Sequence, residues 1–188
     1  MKRICVYCGS NTGKDKDYAN AARELAEVLV QSDIGLVYGG SSKGIMGLLA
    51  DAVLVDGGAV EGVMPKSLLE KEVAHDGLTE MHIVESMHAR KSMMAVLSDG
   101  FIALPGGYGT LEEIVEILTW AQLQFHEKPC GLLNVNGYFN HLLSYLDHAE
   151  AEGFLHAAHR AMLQVSKKPA DLIRRFESYI PPNIEKWQ

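Results

Sequence analysis

The feature that most constrains this chain is an alternation: short continuous apolar runs of strand length, separated by segments whose apolar residues recur with helical period. The apolar runs fall at residues 4–7, 35–38, 59–63, 81–84, 101–104 and 130–135. In residues 17–31, Ala22, Leu25, Ala26, Leu29 and Val30 make the i, i+3, i+4, i+7 stripe of an amphipathic helix. Residues 44–58 make a second, stopped by Gly57 and Gly58. Further helices are expected over 86–98, 110–123, 138–150 and 170–179. Strands that are apolar throughout, rather than at alternate positions, belong to a parallel sheet covered on both faces. The expected fold class is therefore α/β: a Rossmann-like, doubly wound parallel sheet in a single domain over residues 1–180. Residues 181–188 carry two prolines and no periodicity, and an irregular tail is expected there.

Charge and composition narrow the partners. The formal net charge is -7, and no Lys or Arg cluster exceeds a pair. Nucleic-acid binding needs concentrated positive charge, so it is not expected, whereas small anions remain suitable ligands at local sites. No apolar stretch approaches the roughly 18 residues of a spanning helix, and the opening lacks the apolar region of a secretory signal. No membrane association is expected, and cytoplasmic residence follows. Cys5 and Cys8 form a C-x-x-C, but on a strand these positions project to opposite faces and their sulfurs cannot easily meet. Buried reduced thiols are expected for both and for Cys130.

In sheets of this kind, ligands bind beyond the carboxyl ends of the strands. Three loops qualify: "CGSNTG" with Gly9 and Ser10, "YGGSSKGIMG" with Gly39 and Gly40, and "LPGGYGTLEE". The second is not a P-loop, because Gly44 is followed by Ile45 and Met46 rather than Lys and Ser or Thr. Its glycines serve either a tight turn alone or an approach of backbone N–H groups to a phosphate or ribose. In the third loop Pro105 ends a strand, Gly106, Gly107 and Gly109 permit close backbone approach, and Thr110 is placed to cap the following helix.

Thr110 and Glu113 stand in the T-x-x-E register of a capping box, in which Glu113 would accept the Thr110 N–H. Helical geometry offers a second role. Leu111, Ile114, Val115 and Leu118 make one stripe, expected to face the sheet. Glu113 then lies nearly opposite, in line with Glu116, Ile117 and Trp120, on a face whose apolar residues suggest cover by a second subunit. Arg90 and Lys91 lie near the start of a helix capped by Ser86, where the macrodipole disfavours cations. They form either a solvated charged face or a basic pair that holds a phosphate or a sugar. His156 and His159 lack an acid to complete a ligand set, so surface histidines and no metal site are expected. Met87, Met93 and Met94 are expected to fill core or interface.

Taken together, "PGGYGTLEE" at 105–113, "MHARK" at 87–91 and "VYGGSSKGIMG" at 37–47 resemble the LONELY GUY family of cytokinin riboside 5'-monophosphate phosphoribohydrolases, also labelled "possible lysine decarboxylase". The resemblance implies a homodimer that hydrolyses the N-glycosidic bond of a purine nucleoside 5'-monophosphate, AMP or an N6-modified relative, with no cofactor. It implies a catalytic pair at Arg90 and Glu113. Substrate contacts implied by it are Glu72, Lys91, the loop from Gly106 through Gly107, Tyr108, Gly109 and Thr110 to Leu111 and Glu112, and Thr119. Two other functions deserve comparison. A pyridoxal-phosphate lysine decarboxylase would need a lysine and an acid in a constellation that the sequence does not display. A non-catalytic nucleotide sensor or carrier would not need both Arg90 and Glu113.

Overall fold

The computed structural model describes residues 1–69 and 73–182. The chain begins with β1 (Arg3–Tyr7), α1 (Lys16–Gln31), β2 (Gly35–Tyr38), α2 (Gly44–Val55) and β3 (Val60–Pro65). A 3-10 turn at Lys66–Leu68 leads towards β4 (Glu80–Val84), α3 (Met87–Leu97), β5 (Gly100–Ala103) and α4 (Tyr108–Gln122). After β6 (Cys130–Leu133) come a 3-10 turn at Val135–Gly137, α5 (Asn140–Ala151), the one-turn α6 (Ala157–Arg160), β7 (Leu163–Ser166) and α7 (Pro169–Glu177).

All seven strands pair in parallel, in the order β4-β3-β2-β1-β5-β6-β7. The expected doubly wound sheet is present. The strand order reverses between β1 and β5, so the loops after these two strands diverge and leave a crevice at their carboxyl ends. One face of the sheet packs on α1, α2 and α7 through Leu25, Leu29, Leu49, Val53 and Phe176. The other packs on α3, α4 and α5 through Met94, Ile114 and Ile117, with Leu142 and Leu146 partly buried beside them.

Local chemistry explains several element ends. Asp15 caps α1 by accepting the Asp17 N–H at 3.0 Å. Ala21, Ala22, Leu25, Ala26 and Leu29 form its buried stripe. Proline begins α7 in its first turn, where no N–H is needed. Asn136 stands at φ 49 in the turn after β6; Asn tolerates this region better than most residues, and its Nδ2 donates to Asp15 and Asp17.

Two elements escape the sequence pattern. β7 reads LQVS, with only its end residues buried, so neither a continuous apolar run nor a strict alternation marks it. α6 is a single turn. The expected irregular tail falls largely outside the described residues, which end at 182.

All three cysteines are buried and free. Cys5 packs in the layer beneath α3 and α4, and Cys8 in the layer beneath α1 and α2. The opposite-face expectation holds. His159, in contrast, is buried and its Nδ1 bonds Gln122 Nε2 at 3.2 Å. It is not a surface histidine.

At the amino ends of the strands a polar ladder crosses the sheet. Arg3 extends over Gly35, where an added Cβ would lie 3.2 Å from the Arg3 Cγ, and its Nη1 donates to Glu61 Oε1 at 2.8 Å. The other oxygen of Glu61 meets His82 Nε2 at 3.0 Å. Glu61, Glu80 and His82 bring their polar atoms within 4.8 Å of one another, and the Arg3 guanidinium makes this group an ion-pair ladder. Burial alone would raise the Glu61 carboxyl, but hydrogen bonds from His82 and Arg3 hold it below its ordinary value. A depressed folded-state value contributes stability above the unfolded carboxylate range, near about 4.3, and that contribution is lost as pH falls through the folded value. Glu61→Gln should therefore be less stable than the parent at pH 7, with the gap closing below about pH 4. Urea unfolding at both pH values measures this, and a gap independent of pH would exclude the charge effect.

Candidate active site

The crevice at the strand-order reversal is a cleft of about 280 Å³. Cys8, Gly9 and Ser10 form one side, after β1, and Gly107, Tyr108, Gly109 and Thr110 form another, at the start of α4. Arg90 of α3 and both Glu112 and Glu113 of α4 complete its polar lining. Met46, Leu68 and Met87 make an apolar wall.

The N-terminus of α4 is open to this cleft. Gly107 is its N-cap and no side chain caps it. Added Cβ atoms at Gly107 and Gly109 would meet nothing within 4 Å. The first-turn amides of a helix lack intrahelical acceptors, and with the helix dipole they favour an anion. Thr110, expected as the cap, is instead the third residue of the helix and is buried. Its Oγ1 lies where a Cβ on Gly106 would stand, 2.1 Å away, so Gly106 makes room for Thr110. Tyr138 Oη donates to the Gly106 carbonyl at 2.6 Å and steadies the loop from behind. The helix begins at Tyr108, so Thr110 is not its N-cap and the T-x-x-E register does not mark the start of α4.

The facing of α4 also differs from the sequence expectation. Its buried residues are Thr110, Ile114, Ile117 and Ala121. Leu111 and Val115, placed by periodicity on the sheet side, are 39% and 44% exposed. The true stripe includes a threonine and an alanine, which an apolar count passes over. Ile117 is in the core and Trp120 packs against it, so neither indicates a second subunit. At 100° per residue, Glu113 sits on the flank of the buried stripe rather than opposite it. From there its charge reaches the end of β1: burial first, and the Glu113 carboxylate second, push up the thiols of Cys5 and Cys8.

Arg90 is only 5% exposed. Ser86 caps α3, its Oγ accepting the Ala89 N–H at 3.1 Å, which sets Arg90 in the first turn beneath the cleft. Its Nη2 donates to the Gly39 carbonyl at 3.2 Å, and Nη1 approaches Met87 Sδ at 3.8 Å. The buried Nε has no hydrogen-bond partner among the described residues. A buried charged donor left unpaired is costly, and this one lies in the wall of a cleft.

The second glycine loop proves to be structural support for that arginine. Gly39 and Gly40 are not on the cleft wall described above. A Cβ at Gly39 would come within 2.1 Å of Arg90 Nη2. Gly44, at φ +61, packs against Ser10, and the Ile45 N–H bonds the Gly9 carbonyl at 3.0 Å. Gly9 lines the cleft, but its own N–H is directed to the Pro105 carbonyl at 3.2 Å. Of the two openings that the sequence left for these glycines, backbone conformation and close packing explain them.

Lys91 is turned to α4, where Nζ reaches Glu112 and Glu116. Thr119 lies on a separate apolar groove of about 130 Å³, with Val115, Leu118, Leu142 and Leu146. Leu111 faces a third hollow beside Tyr138 and Leu142. Glu72 lies outside the described residues; Val73, just after it, accepts from Ser42 N and Oγ at 3.0 and 2.9 Å, and His75 N–H bonds the Gly40 carbonyl at 3.0 Å. Cys8, Met46, Leu68 and Met87 are cleft residues that sequence reasoning missed. Met87 was placed in core or interface, yet it is 42% exposed at the cleft beside Arg90; its position one turn before Arg90 was the available signal.

This arrangement combines an uncapped helix N-terminus for an anion, a buried guanidinium, a carboxylate and an apolar wall. Comparisons with known proteins bear on the family of the chain. The family model described as "Possible lysine decarboxylase" matches residues 46–176. A probable cytokinin riboside 5'-monophosphate phosphoribohydrolase of Oryza sativa subsp. japonica is 51% identical, covering 100% of this chain and 79% of that protein. A cytokinin riboside 5'-monophosphate phosphoribohydrolase of Arabidopsis thaliana is 50% identical over 96% of this chain and 85% of its own length. Among solved structures, the molybdenum cofactor carrier protein of Chlamydomonas reinhardtii superposes with a TM-score of 0.72 at 20% identity, covering 95% of this chain and 99% of that one. That likeness shows the fold alone.

The seat of Arg90 can be tested directly. Gly39→Ala has no backbone obstacle, since Gly39 is not among the positive-φ positions, but its methyl group takes the place of Nη2. A crystal structure of the variant should show the guanidinium displaced from the Gly39 carbonyl while the sheet is unchanged.

Proposed function

The chain belongs to the family described as possible lysine decarboxylase, the LONELY GUY family, and on that premise we propose that it is a nucleotide phosphoribohydrolase. It cleaves the N-glycosidic bond of a purine nucleoside 5'-monophosphate with water, giving the free base and ribose 5-phosphate. The observation that carries this reading is the presence of buried Arg90 and half-buried Glu113 on one cleft at the open N-terminus of α4.

The 5'-phosphate binds the amides of Tyr108, Gly109 and Thr110, with Ser10 opposite. The ribose lies over Glu113, and the base faces Met46, Leu68 and Met87. As the glycosidic bond breaks, positive charge builds on the sugar and negative charge on the departing base. The Glu113 carboxylate stabilises the sugar cation and takes a proton from the attacking water. Water oxygen bonds to the anomeric carbon, the bonding pair leaves with the base, and the base gains a proton from solvent. Arg90 holds the substrate and offsets the negative charge; its Nε, without a partner among the described residues, finds one when the nucleotide is bound. This role for both residues favours hydrolysis over a carrier function.

The protein acts in the cytoplasm as a homodimer, in our reading. Exposed Leu111 and Val115, next to the groove lined by Leu142 and Leu146, support an apolar contact with a second copy. No described helix is long and apolar enough to cross a membrane.

Chromatography of base release from AMP, N6-isopentenyl-AMP, GMP and CMP tests reaction class and specificity together, with the purine monophosphates expected to react. Glu113→Gln should lower kcat by about 100-fold or more while nucleotide binding, followed by calorimetry, persists. Undiminished release by that variant would remove Glu113 from the mechanism.

A further inference from the structure

Lys91 follows Arg90 on α3, and Glu112 and Glu116 bracket Glu113 on α4. The Lys91 ammonium donates to Glu112 Oε1 at 2.5 Å and to Glu116 Oε1 at 3.0 Å. Its side chain is 12% exposed and that of Glu116 29% exposed, so the contact is shielded from bulk water on the lysine side. Glu112 and Glu116 are i, i+4 neighbours, whose like charges would repel on the helix surface. One ammonium closes over both and cancels that repulsion. Burial alone would pull the Lys91 pKa down, but its bonds to Glu112 and Glu116 leave it raised, and the ammonium stays charged. Neither Lys91 nor Glu116 lines the cleft.

We propose that Lys91 and Glu116 are positioning residues for the hydrolysis, forming an ion-pair tie that fixes α3 against α4 and thereby sets the separation of Arg90 and Glu113. The inference rests on the hydrolase reading above and deepens it. The tie is attached one residue beyond Arg90 on one helix and three beyond Glu113 on the other. Within so short a span a helix is stiff, and a shift at the tie becomes a shift at the reacting groups. Misplacement by about 1 Å costs on the order of 100-fold in rate. Two of the three ammonium donors of the lysine are thus committed to the protein.

The test compares Lys91→Met, Lys91→Arg and Glu116→Gln in the base-release assay with AMP. The tie predicts that K91M and E116Q lose about 10- to 100-fold in kcat with KM within about twofold, and that K91R recovers most of the loss because a guanidinium spans two carboxylates. A direct phosphate contact would instead raise KM in K91M and leave E116Q at the parent rate; that result overturns the proposal. If K91M does not fold, E116Q and K91R carry the kinetic comparison. Thermal melts of K91M, E116Q and the double variant form a cycle that needs no activity. The double variant should melt no lower than the less stable single variant, and additive lowering overturns the tie. A parent protein that releases no base from any of the four nucleotides defeats the hydrolase reading, and the melting cycle then decides on the tie alone.

Discussion

Seating a guanidinium against the Gly39 carbonyl, with 5% of Arg90 exposed, constrains everything around it. The position requires a residue without a Cβ at the end of β2, because any side chain there would occupy the place of Nη2. It requires α3 to start close under the sheet edge, which the Ser86 cap accomplishes. It also leaves Nε buried and without a hydrogen-bond partner among the described residues, a cost that packing elsewhere must offset. A fold selected for stability alone would place a methionine or leucine at this point. The charge makes sense in a site whose ligand supplies the missing acceptor.

The same economy of space governs the three glycine loops. Gly44 abuts Ser10, Gly9 lies against Asn11 and Gly106, and Gly106 lies against Thr110. These contacts lock the loops after β1, β2 and β5 into one unit. Within these loops it is Gly107 and Gly109 that have open space where a side chain would be, and these flank the first-turn amides of α4. Glycines with similar appearance in the sequence therefore divide into those that permit packing and those that permit access.

Much of the architecture was legible because parallel strands are written as largely apolar runs, and six of the seven strands are found from them, although β3 carries Glu61 and β4 carries His82. β7 does not, since an edge position buries only Leu163 and Ser166. At the site, Arg90 and Glu113 could be found from their motifs, but their surroundings could not. The α4 stripe was misread because burial of Thr110 and Ala121 is decided by what they pack against, not by their polarity or size. The roles of Gly39, Met46, Leu68 and Met87 depend on contacts between elements far apart in sequence, to which local periodicity is blind. Lys91 shows the limit most clearly: a basic pair in the sequence resolves into one buried arginine at the cleft and one lysine held by two carboxylates of another helix.

That division also explains how a chain of net charge -7 can have an anion site. Long-range attraction for a phosphate would require exposed cations, and Lys91, next to Arg90 in the sequence, is paired with Glu112 and Glu116. Among the described residues the cleft offers amide dipoles at a helix end and the desolvated Arg90 guanidinium, both short-ranged. Binding of this type discriminates by fit. In the proposed complex a phosphate gains from the amides only when it sits in line with the helix, and that alignment would place the rest of the molecule over Glu113. Orientation of the substrate and affinity for it thus arise from the same few hydrogen bonds, and a diffuse positive surface would supply the second without the first.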